Sequence, residues 1–132
     1  MPIWYVLDQQ RRAVPASILE ASQQLENLDS RVVAQHQVGE VVISTVFLTI
    51  NHNFGREGPP LVFETLVDGG DYDGHQDRYS TWEEAEEGHW RVVKMVEGSN
   101  HDAYRQAPRL IREARPASLA KAWYARLLEE DD

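Results

Sequence analysis

Cysteine is absent from this chain of 132 residues, which removes disulfides, thiolate zinc sites, iron–sulfur clusters and cysteine nucleophiles together. No run approaches the ~18 consecutive apolar residues of a membrane span. The start, Met1-Pro2-Ile3-Trp4-Tyr5, has no basic stretch followed by an apolar one. A cytosolic protein without a membrane partner is the expectation. Positive charge is also scarce, with 13 Lys and Arg against 22 Asp and Glu for a net charge of −9. That balance speaks against general nucleic-acid binding, which needs clustered cations on phosphates.

The scarcity is uneven. Residues 1–102 hold seven cations and seventeen acids, residues 103–128 six cations and one acid, and 129–132 four acids. An acidic body, 1–100, followed by a helical tail, 101–132, that is basic and then acidic is the expected organisation, the tail docking on the body or pairing copies of the chain.

What is present is globular: 42% hydrophobic and 9% aromatic residues, enough for one core burying roughly two-thirds of the unfolded surface. Ile3–Leu7 reads as a strand, with a polar turn or hairpin end at Asp8–Arg12. Ser17 with Glu20 makes a capping box, and Ile18, Leu19, Ala21, Leu25 and Leu28 recur at helical spacing, so a helix over 17–29 is expected. Strands follow at Arg31–Val38, with Val32, Ala34, His36 and Val38 on one face, and at Val41–Ile50 across a two-residue Gly39-Glu40 turn. Leu61–Val67 and Gln76–Ser80 complete the strands.

Thr81-Trp82-Glu83-Glu84 caps a second helix whose buried stripe is Ala85, His89, Val92 and Val96, flanked by Trp82 and Val93. A short helix around Ala107–Ala114 and another bearing Leu119, Ala122, Trp123, Arg126 and Leu127 end the chain. The order β-α-β-β-β-β-α-α defines the α+β class: an antiparallel sheet of about five strands with helices on one face.

Several blocks together resemble a family of small bacteriophage and prophage proteins of unassigned function. They are Ser44-Thr45-Val46-Phe47-Leu48, His52-Asn53-Phe54-Gly55, Gly58–Thr65 and Arg78–Ala85 with Gly88-His89, within residues 1–98. Where such proteins tend to have Asp before the histidine, this chain has Asn51, and where they tend to have an apolar residue after the second strand it has Asp68. The resemblance implies work inside a bacterial cytoplasm and supplies no reaction.

The polar residues offer two readings from different classes. His52, Glu64 and His89 are the candidate acid–base set for a small nucleotide or phosphodiester hydrolase, should they share one cleft. Their spacing matches no metal-ligand pattern, and counting a calcium loop from Asp71 puts Trp82 where its glutamate belongs, so no metal or cofactor is expected. The favoured reading is a non-enzymatic accessory protein that inhibits or sequesters a host protein or a small anionic ligand such as a signalling nucleotide. Its contacts would come from His52, Asn53, Phe54, Trp90, Arg105, Arg109, Arg112 and Trp123, with Trp90 one position off the buried stripe and half exposed. A minor virion or assembly component, associating through the C-terminal helices, is the third reading.

Overall fold

A computed structural model describes residues 2–53, 57–99 and 109–110. The chain opens with a hairpin of β1 (Tyr5–Leu7) and β2 (Ala13–Pro15), then α1 (Ile18–Leu25) and a single turn, α2 (Leu28–Arg31). Next come β3 (Val32–Val38), β4 (Val41–Phe47), β5 (Phe63–Asp68) and β6 (Gln76–Tyr79), and then the long helix α3 (Trp82–Ser99). The four strands pair antiparallel in the order β6-β5-β4-β3, and a two-residue strand, β7 (Arg109–Leu110), lies along the free edge of β3. The α+β class is therefore as the sequence indicates. The expected helix around Ala107–Ala114 is corrected at Arg109–Leu110, which is extended, and the helix bearing Trp123 lies outside the described residues.

The expected first strand does not join the main sheet. Asp8 explains why: its Oδ1 accepts from the Gln10 and Arg12 amides, turning the chain back so that β1 pairs with β2. Arg11 takes a left-handed φ of 63° in that turn and lays its guanidinium 4.6 Å over the Trp82 ring. The hairpin's backbone bonds to the segment beyond β4, where Tyr5 N donates to Thr49 O and Asn51 N donates to Ile3 O, while Tyr5, Leu7 and Ala13 pack on the cluster that holds Val33, Phe47 and Phe63.

Ser17 and Glu20 form the capping box, but the helix stops at Leu25 because Asn27 caps a new turn, its side chain accepting from Ser30 N. The break rotates the expected apolar stripe off the body. Ala21 is fully buried while Ile18 and Leu19 stay 60% and 66% exposed. Arg31, assigned to a strand by its sequence context, ends α2 and is fully buried. Its Nη1 donates to Phe47 O and its Nη2 to Leu25 O, satisfying carbonyls where β4 and α1 run out of partners.

Alternation fixes the two sides of the sheet. Ile43 and Phe47 on β4 and Phe63 and Val67 on β5 lie in clusters with Trp82, Ala85, Val92, Val93 and Val96, so this face meets α3. Val46, Leu48 and Leu66 form a cluster with Val32 on the opposite face, and Leu28 of α2 packs there. Helical residues thus touch both faces, a correction to the one-sided arrangement. The face shared by Val32, Ala34, His36 and Val38 is also corrected at its first member. A bulge between Val32 and Ala34 shifts the register, placing Val32 opposite Val46 and Ala34 opposite Thr45.

The long connection from β4 to β5 is held by asparagines. Asn51 Oδ1 accepts from Asn53 N at 2.8 Å and Leu61 N at 3.0 Å, and Asn53 Nδ2 donates to Pro59 O at 3.0 Å. Replacing Asn51 by alanine leaves two amides without that acceptor and is expected to cost about 2 kcal/mol. Asn51→Asp retains an acceptor at the same atom and should stay within about 1 kcal/mol of the parent. Urea unfolding of both variants checks the contrast; equal losses would contradict the assignment of the work to Oδ1.

Candidate functional site

Four buried polar residues, His36, Thr45, Thr65 and His89, meet between the sheet and α3. His89 projects from the apolar stripe of α3, as its helical spacing requires, and is fully buried. His89 Nε2 lies 2.8 Å from His36 Nδ1 on β3, and His89 Nδ1 lies 2.7 Å from Thr45 Oγ1 on β4. Thr45 and Thr65 are direct cross-strand partners, which brings their hydroxyls to 2.5 Å. The Tyr79 hydroxyl on β6 donates to Thr65 Oγ1 at 3.0 Å. One polar chain therefore crosses four strands and the helix.

Its direction follows from counting protons. Tyr79 donates to Thr65, so the Thr65 hydroxyl is directed at Thr45, whose own hydroxyl then points at His89 Nδ1. In that direction His89 carries its proton on Nε2 and gives it to His36 Nδ1. Run this way, each hydroxyl and the His89 ring donate once and accept no more than once. Run the other way, Thr65 accepts from both Thr45 and Tyr79, and its own proton has no acceptor in the layer.

Apolar packing bounds the layer on both sides. Phe47, Phe63, Tyr79, Trp82 and Ala85 belong to one cluster, and Ile43, Val67, Val92, Val93 and Val96 to another. Burial, followed by the nearby His36, pushes the His89 pKa down to about 3, and burial likewise lowers that of His36. Both rings are neutral at pH 7. Burial raises the Tyr79 pKa, so its phenol remains a donor. Gly88 makes the Tyr79 approach possible, because a Cβ there would sit 2.1 to 2.2 Å from the Tyr79 ring edge and hydroxyl. Trp90 is 48% exposed, as its offset from the stripe suggests, and its ring lies 4.6 Å from that of His36.

The proposed acid–base set is not assembled. Glu64 alternates with Thr65 on β5 and so points away from the face that carries His89. Its carboxylate, 1% exposed, receives Arg78 Nε from the neighbouring strand at 3.1 Å. His52 is buried in the β4–β5 connection, where its amide donates to Leu61 O. A sheet thus separates Glu64 from His89, and the partner of His89 is His36 instead of His52. Asn53, expected as a contact residue, is also buried and committed to Pro59.

Phe54, Arg105, Arg112 and Trp123 lie outside the described residues, and Arg109 is placed as part of β7. The glycine loop Asp68–Gly74 serves as a turn: Gly69, Gly70 and Gly74 have positive φ, and Asp73 Oδ1 accepts from Gly69 N. Among the described residues no group of three or more His, Asp or Glu is arranged to hold a metal ion. No described helix is long and apolar enough to cross a membrane.

Sequence reasoning connected neither His36 nor Thr45, Thr65 and Tyr79 to His89, and His36 was the hardest to find. It stands 53 positions from His89, and only the register His36 to Ile43, beside Ala34 to Thr45, brings it there. The Thr45–Thr65 pair was within reach once the β4–β5 register was known. Compared with known proteins, the chain matches no family model, and neither curated proteins nor solved structures give a significant match.

Proposed function

We propose that this protein is a phage-encoded accessory factor that works in the bacterial cytoplasm as a non-enzymatic binding module, sequestering or inhibiting a host protein. The observation that carries the reading is the contrast across α3. On its inner side the titratable groups are committed to one another; on its outer side Trp90 stands exposed one turn from Glu86 and Glu87, with Glu83 and Glu84 beyond. A half-exposed indole on a rigid helix suits an interface anchor, and acids beside it favour a basic partner. The resemblance of the Arg78–Ala85 and Gly88-His89 blocks to phage proteins, together with the net charge of −9, supports the same choice.

Retention of host proteins on the immobilised full chain tests this, with Trp90→Ala and Glu86→Lys/Glu87→Lys as comparators. A basic protein held by the parent should bind about thirtyfold more weakly to Trp90→Ala, corresponding to ~2 kcal/mol at a central aromatic anchor. It should also be released as salt rises. Equal retention by all three chains would refute the assignment of this face.

A further inference from the structure

The His36–His89 contact has room for one proton. At 2.8 Å, Nε2 of one ring and Nδ1 of the other can share a single hydrogen; a second would set two N–H groups against each other. The remaining nitrogen of His89 is equally committed, since Thr45 donates to it. A proton arriving there forces the Thr45 hydroxyl to turn, and the reversal runs to Thr65, which then accepts from both Thr45 and Tyr79 and is left with a buried proton that has no acceptor in the layer. Proton uptake is thereby tied to the contact between helix and sheet.

The surroundings do little to soften the added charge. From β3 the layer receives His36, from β4 Thr45, from β5 Thr65 and from β6 Tyr79, which feels Asp77 and Arg91 with opposite signs. β7 runs alongside with Leu110 in register with His36 and Arg109 with Gln37. On α3 the exposed charges are Glu83, Glu84, Glu86, Glu87, Arg91 and Lys94, on the solvent side of the helix. The hydrogen bonds of the layer among the described residues run between imidazole, hydroxyl and phenol groups alone.

We propose that the imidazole pair is an acid-operated latch, in which proton uptake by His36 and His89 breaks the one-way chain and frees α3 from a sheet whose strands remain paired. The inference stands independently of what binds the outer face of α3. Its sign follows from burial: both histidines are lowered in the closed state from an ordinary value of 6.5, so the opened state binds more protons. Opening is therefore favoured as pH falls below about 6.5, and for His89 the trend continues toward about 3.

Native-state hydrogen exchange of the full chain between pH 7.5 and 4.5, corrected for the intrinsic pH dependence of exchange, tests the latch. The opening constant at Val92, Val93 and Val96 should rise about tenfold per pH unit below the histidine range for one proton taken up, approaching a hundredfold for two. Amides of Ile43 and Val67 should rise less. In His36→Asn the side-chain oxygen can take the place of Nδ1 as acceptor without titrating, so opening should still begin below the ordinary histidine value, because His89 takes up its proton, but with no more than a tenfold rise per pH unit against the parent's approach to a hundredfold. Helix and sheet amides rising in step in the parent would overturn the proposal, and so would an unchanged slope in a folded His36→Asn. The parent comparison decides the matter if that variant does not fold.

Discussion

Gly88→Ala is expected to destabilise the protein by about 3 kcal/mol, against the direction that helix propensity alone dictates. Alanine in a helix interior is ordinarily favoured over glycine by ~1 kcal/mol. Here the added Cβ would lie 2.1 Å from Tyr79 Cε1 and 2.2 Å from both Cζ and the hydroxyl oxygen, distances no rotamer choice at residue 88 can relieve. Tyr79 is held in place by its bond to Thr65 and by the aromatic packing of its cluster, so the helix must lift. A loss of that size corresponds to a fall in Tm on the order of 10 °C for a domain near this length. Tyr79→Phe should not rescue it, because the ring carbons remain. Tyr79→Ala should make the same Gly88→Ala change neutral or slightly stabilising, a strong non-additivity readable in a double-mutant cycle. A stabilised Gly88→Ala in the parent would mean that α3 does not approach β6 as described.

The second large effect concerns His89. Its replacement by alanine empties a buried site and leaves the Thr45 hydroxyl without an acceptor and His36 without a donor, an expected loss of about 3–5 kcal/mol in urea unfolding. His89→Leu fills much of the volume yet strands the same two groups, so it should still lose about 2–3 kcal/mol. Combining His89→Leu with His36→Leu, Thr45→Val, Thr65→Val and Tyr79→Phe removes the polar layer as a unit. The combination should recover to within about 2 kcal/mol of the parent, since an apolar layer of similar volume has no unsatisfied groups to bury. If the five losses simply add, the residues do not form one continuous chain.

These two sites show where reading the sequence succeeded. Thr81 and Glu84 announced α3, and its Ala85, His89, Val92, Val96 stripe is the buried one, because capping and helical periodicity are local physics. Gly39 marked the β3–β4 turn for the same reason, its φ of 61° being easy only for glycine. Failures arise where a distant partner decides. Ile18 and Leu19 fit a helical stripe, but the break at Asn27 and the hairpin at Asp8 leave them outside. Val32 fits an alternating face until the bulge turns it over.

The candidate site was half legible. Glu64 and His89 stand out as polar residues in apolar settings, and Arg78 was a foreseeable partner for the carboxylate. Which face each occupies depends on strand register, and a shift by one residue moves a side chain to the other side of the sheet. Grouping them with His52 assumed a single cleft that alternation along β5 forbids. The pairing of His36 with His89 needed β3, β4 and α3 placed together, which no local pattern supplies.

The polar layer between α3 and the sheet is the claim on which the reading of this fold rests, and long-range proton–nitrogen correlation of the imidazole rings at pH 7 tests it most directly. His89 should appear as a neutral ring protonated at Nε2 alone, with Nδ1 shifted as an acceptor and its proton correlated to His36. A His89 ring that is charged, protonated at Nδ1, or averaging between tautomers would contradict the account.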